Sequence, residues 1–422
     1  MKTTKKALVG AALAATAALV LSGCSASGSS SGPVTVTMWA RAATSPITKQ
    51  LVKEYNASQS KVKVQLTVLP LNQEDAKFAA ATRSGNVPDL FGMNDVSIPQ
   101  YAATGALKPV DDFMKGLPMK SELNPGQMDL GKVNGQQYGV PLMQDLSVMW
   151  INKTLFQKAG LDPSKAPTNA KEIEADAAAI TKLGGGVKGF SFGGNCGGCN
   201  VFAMAPTLFA NGQKLVSGST SDPKVEVDAT PFKNTLTMLK TMWDNGDMPA
   251  SDQTEDGSTF GQDFIAGKIG ITFNGLGTIL SAKPKGFDYA AAPIPGATGS
   301  YSTFSGGDEF VLPAKGQHAE QAEDFVKFVL QKKQQQIYPE YGYTPVRTDA
   351  MTSKLKAENP AFAVALKAST KGYAPKTPAF QSLFSNSGPF GPIFQKAVFA
   401  GDIAGALKTG QAGFESTVKS AG

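Results

Sequence analysis

Several polar side chains in this chain stand where an apolar, strand-like run gives way to a turn. Asp145 lies between Pro141 and the run Leu146–Ile151. Trp39 and Arg41 close the alternating segment that starts at Val34, and Asn94 and Asp95 follow Pro88–Met93. Asn274 follows Ile269–Phe273, and Gly306-Gly307-Asp308-Glu309 precedes Phe310-Val-Leu-Pro313. A carboxylate so placed can exchange a proton, hold a metal or accept two hydroxyl protons at once. Glycoside hydrolysis needs two carboxyls flanking one bond, and the 34 acidic residues show no glycosidase pattern. A Ser-His-Asp or Cys-His triad would have to use His318, the one histidine, in an expected first helical turn. Cys196-Gly-Gly-Cys199 reads as a redox pair, half a zinc site or a local disulfide. No second cysteine pair exists to complete four zinc ligands, and a structural disulfide suits an exported protein. No metal and no cofactor is expected. Hydroxyl capture remains the favoured chemistry for Asp145.

The surrounding elements read as an α/β protein. A chain of 422 residues is too long for one ordinary core, so two domains are expected. Val34–Trp39 and Val62–Leu69 alternate as strands. Thr48–Ser58, Asn72–Ser84 and Ile98–Thr104 read as helices, the second stopped by Gly85. Further helices are expected at Lys171–Leu183, Val201–Ala210 with a break at Pro206, Pro231–Asn245, Thr259–Ala266 and Glu320–Gln336. Strand–helix alternation implies a parallel sheet, whose ligands bind outside the carboxyl ends of the strands. Trp39, Arg41, Asn94, Asp95 and Asp145 all fall at such ends. Trp150 and Trp243 read as core.

The N-terminus is a targeting segment. Lys2, Lys5 and Lys6 precede the apolar Ala7–Leu21, then Leu21-Ser22-Gly23-Cys24. Small residues before that cysteine resemble a lipobox. Residues 1–23 are the expected signal peptide, Cys24 the lipidated residue, and 24–33 a flexible tether. Their removal takes away three lysines and no acids, lowering the formal charge from +6 to +3. No dense basic run points to nucleic acid.

The ordered motifs resemble the extracytoplasmic solute-binding proteins of ABC importers, in the sugar-binding family that includes maltose-binding protein. They are the lipobox, the strand ending at Trp39, Ser84–Phe91, Gly105–Asp112, Tyr138-Gly-Val-Pro141 with Asp145 and Asn152-Lys153, Phe264–Gly275, and Gly306-Gly307. The resemblance implies a two-lobed periplasmic-binding-protein-like fold, each lobe a mainly parallel sheet flanked by helices, with the ligand between. By analogy residues 34–143 plus 292–346 form one lobe and 144–291 plus 347–422 the other. It places Asp145 beside the first crossing and on a sugar hydroxyl. Trp39, Arg41, Asn94, Asp95, Asn195, Phe202, Asn274, Gly306, Gly307, Asp308, Glu309, Tyr343 and Arg347 are its companions, with Asn200 and Phe390 weaker. Some relatives carry a tryptophan near Gly277, so glycine there leaves a stacking platform absent. The implied function is a monomeric, lipid-anchored receptor. It would deliver a carbohydrate, in the first instance an oligosaccharide, to ABC permease subunits. A non-sugar solute or a surface glycosidase is the alternative.

Overall fold

A computed structural model describes residues 32–70, 73–218 and 222–421. The leader, Cys24 and most of the tether lie outside the described residues. The strands Val34–Arg41, Val62–Leu69 and Leu90–Asn94 pair in parallel, the first in the middle. Val36, Met38 and Ala40 alternate inward from the central strand, as a half-buried pleat requires. The helix Ser45–Ser58 carries Pro46 in its first turn, where a missing N–H costs nothing. It lays Ile47, Leu51, Val52 and Tyr55 into the core. The strand Ser305–Val311 returns antiparallel beside Leu90–Asn94 and is followed by Gly139–Asn152. Most strands in each half of the molecule therefore run one way.

Gly139–Asn152 is the axis of the structure. The sequence suggests a strand from Leu146, yet the strand is 14 residues long and includes Pro141. Proline in a strand needs a site without a ladder N–H. Here the register opposite shifts between Asp308 and Glu309, a bulge that accommodates it. The first half of the strand pairs with Ser305–Val311, up to Leu146 opposite Ser305. From Ser147 onward it pairs with Ile269–Gly275, and from Met149 also with Tyr289–Ala292. Lys188–Ser191 continues the second sheet, parallel to Ile269–Gly275. One strand thus serves both lobes, and pairing changes hands between Leu146 and Ser147. Thr303 locks that point: its hydroxyl donates to the Ser147 carbonyl at 2.7 Å and accepts from the Ser147 amide at 3.0 Å.

The apolar clusters follow the same division. One gathers residues from Val36 to Met143 with Phe310–Val346, and a second gathers Met149–Ile294 with Phe304, the tail from Ala374 to Val418 and, across the division, Val96. Trp150 is fully buried in a third, and its indole N–H donates to the Asn274 carbonyl at 3.0 Å. Trp243 packs on the second cluster against Phe399, and Phe390 is core in it.

Two expected helices divide. Gly197–Ala203 and Ala205–Phe209 replace one span because Pro206 can occupy only a first turn. The helix expected over Glu320–Gln336 stops at Val329 and resumes at Lys332–Gln335. The break turns Gln335 inward, where it donates to Leu142 and Val329 carbonyls and accepts from the Val346 amide.

Candidate ligand site at the lobe crossing

Every residue of Gly139–Asn152 is buried except Asp145. It sits one residue before the change of partner, opposite Gly306. Gly275 leaves room for its carboxylate: a Cβ there would lie 3.1 Å from Oδ1. Oδ1 is buried without a donor at full hydrogen-bond geometry. Burial pushes the Asp145 carboxyl up to about 6, the amide of Gly277 offsetting part of that and Asp308 adding to it.

Arg41 organises the acids around this point. Its Nη1 donates to Asp308 Oδ1 at 2.5 Å, and its Nε stands 3.8 Å from Glu74. Burial alone would favour the neutral guanidine, but Asp308 and Glu74 outweigh it and hold Arg41 charged. Asp308 is fully buried, and its Oδ2 has no donor. Asp95 is 2% exposed, and neither of its oxygens meets a donor at full hydrogen-bond geometry. Burial and the Asp308 charge hold it well above the usual carboxylate range, and the amides of Gly307 and Val96 restrain it only in part. Asp95, Asp145, Asp308 and Arg41 therefore form one electrostatic unit contributed by four separate segments.

Tyr343 and Phe202 border this unit, and Trp39 lies on the strand that ends at Arg41. Trp39 is half-buried, edge-on to Phe91 at 6.2 Å. Phe202 is half-buried against Phe304 with centroids 4.2 Å apart. Tyr343 donates from its hydroxyl to the Ala43 carbonyl at 3.2 Å. Its ring lies where a Cβ on Gly277 would be, 2.8 Å from Cε1. The space at Gly277 is thus filled by an aromatic from the return crossing. This corrects the expectation of an absent platform: glycine at 277 is what lets Tyr343 sit there.

Other expected site residues have different partners. Glu309 points away from this unit: its carboxyl fills a chamber where a Cβ on either Gly131 or Gly139 would strike it. Burial and Asp95 hold that carboxyl far above its usual range. Arg347 chelates Asp349 at 2.9 and 3.0 Å and donates to the Leu330 carbonyl, so it fixes the chain after the crossing. Asn94 caps the short helix Asp95–Ser97 by accepting from Val96 N–H. Gly307 is required by strand contact, since a Cβ there would strike the Met143 carbonyl. Gly306 leaves room for the Phe304 ring. Asn274 accepts from the amide of Gly275 at 2.8 Å while its amide nitrogen is buried without an acceptor.

Asn195 is exposed on the glycine-rich loop, and Asn200 is buried, donating to the Gly193 carbonyl. Cys196 and Cys199 are joined as a disulfide. The pair packs on Gly257, where a Cβ would lie 3.0 Å from Cys196 Sγ. It ties the loop to its neighbours, and among the described residues no cluster of metal-ligating side chains stands beside it. The sequence missed Gln144, Gln127 and Thr344, which are buried at the crossing with unpartnered side-chain oxygens. An amide inside an apolar strand was the signal for Gln144. Nothing local marked the other two.

The lobes also touch away from the acids. Gln381 donates to the Ser97 hydroxyl at 3.2 Å, and Lys376 reaches Asp129 at 3.1 Å. No helix among the described residues is long and apolar enough to cross a membrane.

Comparison with known proteins gives this geometry a context. Residues 50–364 match the model of a family described as bacterial extracellular solute-binding protein. The diacetylchitobiose binding protein DasA of Streptomyces coelicolor is 25% identical over 373 residues, 84% of this chain and 83% of its own. The multiple sugar-binding protein of Streptococcus mutans is 25% identical over 317 residues, 71% of each chain. The fold superposes with a TM-score of 0.80 on an ABC transporter solute-binding protein of Thermotoga lettingae solved with α-D-tagatose. That match is 18% identical and covers 92% of this chain and all of the other. A match over most of the sequence, with the two-lobed fold and a polar unit at the crossing, makes this chain a member of the bacterial extracellular solute-binding protein family.

Proposed function

We propose that the protein captures a carbohydrate between its lobes and presents it to the permease of an ABC importer. The observation that carries this reading is the set of buried carboxyl oxygens at the crossing that no protein group meets at full hydrogen-bond geometry: both oxygens of Asp95, Oδ1 of Asp145 and Oδ2 of Asp308. Buried polar atoms are costly unless bonded, and a polyhydroxylated ring brings several O–H donors at once. Trp39, Tyr343 and Phe202 add faces suited to the C–H side of such a ring. The sugars in the names of DasA and of the Streptococcus protein support the same class. The protein acts as a receptor and leaves its ligand chemically unchanged. The lobes are 34–143 with 305–346, and 146–304 with the tail, because Ile294 and Phe304 pack with the second core. Anchoring is through a lipid on Cys24, and the receptor works as a monomer. A calorimetric screen of mono- and oligosaccharides should find a stoichiometric ligand that raises the melting temperature. A complete blank, or turnover of a bound glycoside, overturns the reading.

A further inference from the structure

Hydroxyl capture by the acids makes no use of the Cys196–Cys199 disulfide. Its ring is short, so it removes less loop entropy from the unfolded chain than a long-range bridge would. Backbone packs directly against it. A Cβ on Gly193 would lie 3.1 Å from Cys196 Cβ and 3.3 Å from Cys199 Cβ, and one on Gly257 would lie 3.0 and 3.1 Å from the two sulfurs. These neighbours are themselves tied down. The Gly257 amide donates to Glu255 at 2.7 Å, and the Asn386 side chain donates to the Asp256 carbonyl at 2.8 Å. Gln395 donates to the carbonyls of both Gly194 and Gln253. Two thiols cannot approach as closely as two bonded sulfurs, so an opened pair must displace either these segments or the helix that carries it.

That helix is Gly197–Ala203, and Cys196 caps it by accepting from the Cys199 amide at 2.9 Å. Cys199 and Phe202 are three residues apart, hence neighbours on one helix face. Phe202 packs on Phe304, as described above. The Phe304 ring comes within 2.5 Å of the point where a Cβ on Gly306 would stand, and Asp95 Oδ1 lies 3.4 Å from that point. Gly306 is opposite Asp145. A continuous run of contacts therefore links the sulfurs to the acids of the crossing. We propose that the disulfide is a positioning element of the ligand site. It holds the helix so that Phe202 seats Phe304 beside Gly306 and Asp95, and ligand affinity depends on its being closed. The coupling stands on these contacts, and its effect on a sugar rests on the carbohydrate reading.

The test uses the full mature chain carrying Cys24→Ser, in which Cys196 and Cys199 are the remaining cysteines. Dithiothreitol opens the bond, giving two thiols and its own cyclic disulfide. Hydrogen exchange is followed in both states. Opening should speed exchange about tenfold or more at Asn200–Ala203 and at Phe304–Gly306, and Cys196→Ser with Cys199→Ser should reproduce that pattern without reductant. A change confined to residues 193–199 and 254–259 overturns the proposal and makes the bond a local staple. Loss of the folded state on opening, seen in a melting curve, overturns it too. Maltotriose, cellotriose and trehalose are then titrated into both states by calorimetry. A sugar that binds should bind the opened chain about tenfold more weakly. Equal affinity overturns the proposal and leaves the carbohydrate reading intact. If none binds, the exchange pattern decides the coupling, and the blank counts against the carbohydrate reading alone.

Discussion

Asp145 shows how one residue's position sets its chemistry. It is the one half-buried residue in an otherwise buried strand, and burial of its carboxyl pushes it up to about 6. A hydroxylated ligand donates to the ionised form, so affinity for a neutral sugar should fall as pH drops through about 6, and calorimetry across pH 5–8 checks this. Asp145→Ala should cost about 1–3 kcal/mol of binding, and unchanged affinity would remove the residue from the site. Asp252 offers a stability counterpart. It accepts from Ser191 Oγ at 2.8 Å and Phe192 N–H at 3.0 Å, yet burial pushes it from 3.8 to about 8. The folded state then holds a proton that the unfolded chain releases. Stability from this group is complete below about 4 and is lost as pH rises through 8. Asp252→Asn should flatten the melting temperature over that window. Asp145 was legible in the sequence as a charge against an apolar run. Asp252 was not, because nothing in its local sequence reveals burial.

At the scale of elements, alternation and helical periodicity located most strands and helices, since both are local properties. Pairing is not local. The sequence suggested a strand from Leu146, whereas partners contributed by Ser305–Val311 extend it back to Gly139. The same limit hid the seat of Tyr343 on Gly277, which joins the return crossing to the strand Ile269–Gly275 and the helix after it. The pair predicts a reciprocal effect. Gly277→Trp places a large ring on top of Tyr343 and should weaken ligand binding by tenfold or more, on the order of 1.4 kcal/mol. Tyr343→Ala added to it should recover part of the loss, and a double-mutant cycle measures the coupling. Glu309 and Arg347 were read as site residues because they neighbour glycines and a crossing. Side-chain direction set by a bulge, and a nearby Asp349, gave them structural partners instead.

For the whole molecule, the two-lobed architecture was legible from the order of its motifs, while the gathering of Arg41, Asp95, Asp145 and Asp308 at its centre needed coordinates. Arg41 and Asp308 come from strands far apart in the chain, as do Ser97 and Gln381. Arg41→Met should leave Asp308 buried without its cation and destabilise the fold by about 3–5 kcal/mol, read as a drop in the chemical denaturation midpoint.

The strand shared by the two sheets is expected to work as a fulcrum. A lobe swinging about it carries its rim through a long arc while residues at the pivot hardly move. Asp145 is one residue from the change of partner, so it meets the ligand nearly as well before closure as after it. The Ser97–Gln381 bond, farther out, should form only as the lobes shut. The two should then separate in time. Asp145→Asn should weaken the first encounter complex and slow association. Gln381→Ala should leave association unchanged and hasten release, both measurable by stopped-flow fluorescence.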